Sequence, residues 1–340
     1  MSDTRRVLFL SASTLDERYY LRQLPRQRPV WSSCEFRIND YQAGVDVDCC
    51  VVYDDVREPV EVSCKSGARI LFTAEPPQVC QYDRRYLEQF DLVVTVDPRL
   101  RHSRKVYDQQ CLTWMVGWKF FSEDNEQCKG YDYFAQERDE DRIDAVSMIA
   151  SKKAITKGHV QRYEFALALK EHFKDKLQLF GVGIREVEDK LEAMAPYKYT
   201  LSIENSSLPY YWTEKISDAF LAGCYPFYHG CTNLEDYFAA DSFTSIEPDR
   251  LKDSTRTIEA VLESELWSRS REQIRASKKL VLDEYNLFAV IAGHVRSFSM
   301  VPGEARQSTT IFPRAHFQRN SVVRRAAGFV RHKLGSLKGQ

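Results

Sequence analysis

Four short apolar runs punctuate the N-terminal part of the chain: RRVLFLSAS, VDVDCCVVYDD, ARILFTAEPP and FDLVVTVDP. Each is continuous rather than alternating, as in strands buried on both faces, and each ends in Asp, Ser, Glu or Pro. This pattern predicts a parallel sheet whose strands are joined by crossover helices. CLTWMVGWKFF is apolar and aromatic in a way that suits either a buried strand or a domain junction. The charge-rich stretch SEDNEQCKGYDYFAQERDEDRID then reads as a linker or surface excursion.

The rhythm resumes beyond it. The strand AVSMIAS is followed by the polar loop KKAITKG, the helical pattern HVQRYEFALALKEHFKD and the strand KLQLFGVG. A charged helix at about 185–195, the strand YKYTLSIEN, a helix starting at Thr213 and a strand around CYPFYHG complete the series. No internal repeat is visible. The βαβ rhythm on both sides of the linker predicts an α/β protein of two Rossmann-like domains facing each other across a cleft, with domains of roughly 150 residues fitting a 340-residue chain.

Thr213 is well typed to cap its helix, Ile216, Ala219 and Phe220 share one face, and Gly223 ends it. Lys215 then falls in the first turn, where the helix dipole disfavours a cation by roughly 0.3–1 kcal/mol. A strand, a loop and a helix N-terminus together are also where α/β proteins hold phosphate. A diphosphate there would offset the cost through an ion pair of about 4 kcal/mol at 4 Å and an effective dielectric of 20, before desolvation. A second βα turn has the same form: AVSMIAS, a loop with Lys152, Lys153 and Lys157, and a helix with Arg162 in an early turn. Two such cations could clamp one anion, whereas either alone reads as an ordinary surface charge.

Composition narrows the remaining choices. Apolar content of 43%, charged content of 29% and a net charge of -1 describe a soluble globular chain with no global signature for nucleic acid. The nine cysteines lack CxxC spacing, which suggests neither a zinc site nor a disulfide framework. The histidines form no metal pattern, and His159 and His229 have bland readings, although His159 lies near the proposed clamp. Asp46-Val47-Asp48 matches a metal-binding DxD, but it opens an apolar run instead of ending one. The first apolar run is too short for a signal peptide or a membrane span. The sequon Asn205-Ser206-Ser207 falls in the candidate site, where a glycan would block it. A cytoplasmic location is therefore expected. From Arg314 to Gln340, Arg314, Arg319, Arg324, Arg325, Arg331, Lys333 and Lys338 meet no acid, and apolar residues recur at helical spacing. This basic amphipathic tail has two readings: docking on the domain, or binding an anionic membrane surface.

The stretch YKYTLSIENSSLPYYWTEKISDAFLAGCYPFYHGCTNLEDYFAADSF resembles the signature of the α-1,3-fucosyltransferases, glycosyltransferase family 10. That pattern runs Y-K-[FY], [FI]-E-N, a five-residue loop, Tyr-x-Thr-Glu-Lys, an amphipathic helix and a Pro-containing strand ending in Gly. RYEFALALKEHF resembles the family's Arg-x-x-Phe helix, and TAEPP its Glu-x-Pro loop. The resemblance is strong over about 145–250 and weak before 70 and after 260. The loop SSLPYYW carries a Pro and a Trp where many members differ.

What the resemblance implies is a GT-B architecture and an inverting transferase of bacterial type, lacking the stem and anchor of Golgi members. Residues 1–140 would bind the acceptor and 141–313 the GDP-sugar donor, with 314–340 as the basic tail. Lys215 and Arg162 would contact the diphosphate of GDP-fucose, Glu214 its ribose, and Asn205 and Tyr211 the nucleotide pocket. Glu75 would be the general base, with no metal or other cofactor required. The acceptor would be a GlcNAc- or glucose-containing oligosaccharide or lipid-linked glycan, at the inner face of the membrane if the tail binds there. The alternatives are a family member using another nucleotide sugar, and a silent glycan- or nucleotide-binding protein. The physical roles agree: one displacement needs a base on the acceptor side and stabilised charge on the leaving diphosphate.

Overall fold

The computed structural model describes residues 4–317 except 43, 66, 121, 123–124, 139–140, 151–156 and 298–305. The first unit is built on a seven-stranded sheet. Its strands are β1 (Arg5–Ser11), β2 (Val30–Trp31), β3 (Cys34–Ile38), β5 (Cys49–Tyr53), β7 (Arg69–Phe72), β8 (Leu92–Thr95) and β9 (Lys105–Tyr107), in the order β2-β3-β1-β5-β7-β8-β9. Only β2 and β3 pair antiparallel; the other pairs are parallel. Helix α1 (Glu17–Leu21) follows β1, and α2 (Arg84–Leu87) lies between β7 and β8.

VDVDCCVVYDD is two strands, not one. β4 (Val45–Asp46) belongs to a small second sheet with β6 (Val60–Lys65), while β5 joins the main sheet. The chain changes sheets at Asp48, whose carboxylate accepts the Arg6 backbone N–H at 2.9 Å. Asp46 and Asp48 are thereby occupied by Arg6, Lys65 and, further along the chain, Arg306.

CLTWMVGWKFF forms no strand and proves to be the junction. Trp118 packs into the core of the first unit, whereas Trp114 and Val116 pack into that of the second. Short helix α3 (Tyr131–Phe134) interrupts the charged linker and buries Phe134. The second unit carries a wholly parallel sheet of β10 (Ile143–Ile149), β11 (Leu177–Phe180), β12 (Tyr197–Ile203), β13 (Tyr225–His229) and β14 (Thr244–Ser245), in the order β11-β10-β12-β13-β14. Its helices are α4 (Lys157–Phe173), α5 (Lys190–Met194), α6 (Glu214–Leu221), α7 (Leu251–Glu263), α8 (Leu266–Arg269) and α9 (Arg271–Asp283). One sheet face packs on Phe165 and Leu169 of α4 and Ile258 of α7. Residues of α6 and α9 form a second core with Trp114 and Trp212. The charged helix expected at about 185–195 is only α5, because Asp189 caps it by accepting the Leu191 N–H.

Both covers of the first sheet draw on the end of the chain. Leu287, Phe288 and Ile291 of α10 (Leu287–Ser297) pack on the face that presents Val7, Phe9 and Ile70. On the opposite face lies the small sheet, completed by β15 (Arg306–Ile311), which pairs antiparallel with β6. The chain therefore leaves the second unit after α9 and not at 313. A boundary at 313/314 does not separate the units, because strands buried on both faces need a cover on each side and the C-terminal segment supplies part of both.

Arg314 opens α11 (Arg314–Phe317) and is likewise bound to the first unit. Its guanidinium pairs with Asp54 at 2.8 Å and Asp55 at 3.1 Å, and meets the Cys80 sulfur at 2.7 Å. The remainder of the expected tail, from 318 onward, lies outside the described residues. No described helix is long and apolar enough to cross a membrane.

Candidate active site

The site is assembled where β12 runs out. Its last residues deliver Glu204 and Asn205 to the sheet's C-terminal edge, and a loop then leads to Thr213, the residue before α6. Glu204 is buried and organises that loop: it accepts the Thr213 N–H at 2.9 Å and the Thr213 hydroxyl at 2.8 Å. Gly230 is required by this arrangement, since a Cβ there would lie 2.4 Å from Glu204 Cγ.

Lys215 does not stand uncompensated at the helix start. Its Nζ lies 3.0 Å from Glu204 Oε2 and 3.4 Å from Glu214 Oε1, and it donates to the Thr213 hydroxyl at 2.9 Å. The protein itself thus supplies the anions that the sequence reading assigned to a bound diphosphate. Lys190 repeats the motif, 3.4 Å from Glu214 and 3.3 Å from Asp218. Burial pushes Glu214 up, but Lys215 and Lys190 outweigh it and hold the carboxyl at about 2. Burial disfavours the charge of Lys215, yet Glu204 and Glu214 raise it above its ordinary value.

Arg162 approaches from α4. Gly158 permits the approach, because a Cβ at that position would meet the Asn205 carbonyl oxygen at 2.2 Å. The guanidinium is desolvated, which lowers its pKa, while Glu204 and Glu214 act on it favourably from a distance. It makes no hydrogen bond or ion pair with any described residue. Beside it, the Asn205 Oδ1 is buried without a donor among the described residues. The Lys152 and Lys153 of the neighbouring loop lie outside the described residues, as do the side chains of Lys157 and His159.

These groups line one cavity of about 420 Å³, walled by Arg162, Asn205, Glu214, Lys215, Lys190 and Asp218 with Met148, Leu201 and Val187 among its apolar residues. Its size and mixture of apolar wall with a few convergent polar groups are those of a small-molecule site. Four of the expected residues, Arg162, Asn205, Glu214 and Lys215, are brought together here. Tyr211 is not on the wall: it is 4% exposed, and turns at Leu208 and Tyr210 hold it inside the loop. Burial raises its phenol well above the ordinary range, reinforced by Glu204, Glu214 and Glu75.

Glu75 reaches this region from the other unit. It is exposed on the loop after β7, yet the surrounding walls and Asp54 raise its carboxyl above the usual range, opposed by Arg314 and Lys215. Lys215 and Glu214 are thus within its electrostatic reach across the cleft. The units also touch through Tyr107 and Tyr210, whose rings stack at 6.2 Å, and through Tyr237, which donates to Asp108 at 3.4 Å.

Three site residues, Glu204 and Asp218 buried and Lys190 half-buried, were missed in the sequence. Glu204 could have been found as an acid that directly follows an apolar strand. Lys190 and Asp218 carried no local signal, being 28 residues apart and joined only by folding. Elsewhere, His229 pairs with Glu247 at 3.2 Å and His294 with Asp108 at 2.8 Å. Among the described residues no group of three or more His, Cys, Asp or Glu side chains is placed to hold a metal ion.

A family model described as Glycosyltransferase family 10 (fucosyltransferase) C-term matches residues 139–261. A 72-residue stretch is 40% identical to 4-galactosyl-N-acetylglucosaminide 3-alpha-L-fucosyltransferase 9 of Cricetulus griseus, covering 21% of this chain and 20% of the relative. The match therefore spans about a fifth of that curated relative. Among solved structures, an alpha1,3-fucosyltransferase with GDP-fucose is similar with a TM-score of 0.46 and 17% identity, covering 83% of this chain and 92% of the other. WaaG, a glycosyltransferase involved in lipopolysaccharide biosynthesis, gives 0.45 and 11%, covering 87% and 100%.

Proposed function

We propose that this chain, whose residues 139–261 match the glycosyltransferase family 10 model, transfers L-fucose from GDP-fucose to a hydroxyl of a GlcNAc- or glucose-containing glycan, with inversion at the anomeric carbon. The observation that carries the reading is the cavity at the start of α6, where the Arg162 cation and the Asn205 Oδ1 have no partner among the described residues. A half-buried cation and a buried acceptor oxygen left open are costly unless a ligand completes them.

In this reading Lys215 and Arg162 bind the diphosphate, Glu214 accepts from the ribose hydroxyls, Asn205 completes the nucleotide pocket and Tyr211 supports its loop from within. Glu75 accepts the proton of the acceptor hydroxyl as that oxygen bonds to the anomeric carbon. The bond from that carbon to the diphosphate oxygen breaks, and GDP leaves from the opposite face. Lys215 and Arg162 favour the step because charge grows on the leaving diphosphate. The raised Glu75 carboxyl suits it to accept a proton. Two fixed cations can carry that charge, so turnover is expected to survive EDTA.

The same reading places the protein in the cytoplasm, with residues 318–340 as the segment that would meet a membrane surface. Arg314 is taken out of that segment by Asp54 and Asp55.

The test is transfer from GDP-fucose to a panel of acceptor oligosaccharides, followed by GDP release. Fucosylation of GlcNAc-containing acceptors is expected. If GDP-fucose is neither hydrolysed nor transferred while another sugar nucleotide is consumed, the fucose assignment is wrong.

A further inference from the structure

The groups around the cavity continue beyond it to the junction between the units. Asp218, 1% exposed, accepts the backbone N–H groups of Met115 at 2.7 Å and Val116 at 3.1 Å. Asp189 accepts the next one, from Gly117, at 2.8 Å. The second unit therefore grips the junction by three successive amides. The first unit grips it by its carbonyls: Arg22, the C-cap of α1 and fully buried, donates to Val116 O at 2.7 Å, to Lys129 O at 3.1 Å and to Trp114 O. Segment 114–117 is thus held from opposite sides by charged groups of different units.

Lys190 joins this clamp to the cavity. Its Nζ is nearly equidistant from Asp218, at 3.3 Å, and Glu214, at 3.4 Å. Among the described residues, Glu204, Glu214 and Asp218 are held in balance by Lys190, Lys215 and the nearby Arg162, while Glu186 and Glu188 add further carboxylates to the cavity wall. An incoming nucleoside diphosphate upsets this balance. Drawing Lys215 toward phosphate deprives Glu214 of one cation, and a buried carboxylate cannot be left unpaired cheaply. Lys190 is the cation that can move to it, and every shift toward Glu214 is a shift away from Asp218. Asp218 then depends more heavily on its two amide donors.

We propose that Lys190 and Asp218 are positioning residues of the donor site: they hold Glu214 for the nucleotide and tighten segment 114–117 when a diphosphate binds. This rests on the donor reading above. They touch neither the sugar nor the acceptor; they act by sharing one cation between two carboxylates. Occupancy of the donor site is thereby felt at the chain segment that joins the two halves of the cleft.

Hydrogen exchange of the full chain with and without saturating GDP tests this, because amides exchange only when their hydrogen bonds open. GDP should slow exchange of the amides over 114–118 at least threefold in the wild-type protein and in Lys190→Arg. In Lys190→Met, with GDP binding verified by calorimetry, the response of 114–118 should vanish. If Lys190→Met does not fold, Asp218→Asn replaces it, since its side-chain oxygen still accepts both amides but carries no charge to exchange with Lys190. GDP that binds the wild type and leaves 114–118 unchanged overturns the inference alone, as does an undiminished response in the variant. Failure of GDP to bind the wild type overturns the donor reading and this inference together.

Discussion

Two clusters of carboxylates and cations face the cleft, one from each unit, and they differ in what they leave open. In the first unit Arg314 is saturated by Asp54, Asp55 and Cys80, and Tyr82 donates to Asp54. In the second, Lys215 and Lys190 share Glu204, Glu214 and Asp218, while Arg162 and the Asn205 Oδ1 find no partner among the described residues. The first cluster ties the end of the chain to the sheet. The second lines a cavity. Both clusters pair carboxylates with cations, so charge alone does not mark a site; unfilled hydrogen-bonding capacity beside a cavity does.

The largest effect should come from the one proposed reactive group on the acceptor side. Glu75→Gln is expected to lower kcat by about 10²–10⁴, the usual contribution of a general base, with little change in Tm. The wild-type acid limb should also report this residue. A base works only when deprotonated, and the Glu75 carboxyl lies above its ordinary 4.5, so kcat/KM should fall as pH drops through a value higher than 4.5. An unaltered limb in a still active Glu75→Gln enzyme would remove Glu75 from that role.

Lys215→Ala should damage both activity and folding. Turnover is expected to fall at least tenfold, about 1.4 kcal/mol of transition-state stabilisation. The buried Glu204 and Glu214 would lose a shared partner, and denaturant unfolding should register a loss of about 3–5 kcal/mol. Arg162→Ala sharpens the contrast by separating the two effects. Turnover should again drop about tenfold, but stability should hold or rise, since a desolvated guanidinium without a protein partner contributes nothing to the fold. A stability loss equal to that of Lys215→Ala would show that Arg162 is a structural ion and not an open valence.

The smallest effect belongs to the surface pairs. Asp46→Ala removes a partner of Arg6 and Arg306 at half-exposed positions and should alter stability by less than about 1 kcal/mol, with transfer unchanged. A large loss of transfer would reopen the DxD reading.

Much of the second unit was legible locally. The strand ending at Glu204, the Thr213 cap and the α6 face are all properties of contiguous residues, and the structure follows them. The first unit was less so. VDVDCCVVYDD looks like one buried run because apolar content is continuous through it, whereas Asp48 redirects the chain from one sheet to another by binding Arg6. CLTWMVGWKFF has strand-like composition but no ladder partner, since its amides are taken by Asp218 and Asp189 and its carbonyls by Arg22.

The family resemblance singled out Asn205 and Glu214; by itself the sequence determined the alternation of strands and helices and the placement of Arg162 and Lys215 at helix starts. Those features follow from nearest-neighbour geometry, periodicity and capping, which need no distant contact. Tertiary structure alone decided that Lys215 is balanced from within, that Lys190 and Asp218 join the cavity to the junction, and that the end of the chain covers the first sheet. Each of these is a pairing of charges or surfaces far apart in sequence, whose partners are chosen only when burial brings them together and makes an unpaired charge costly.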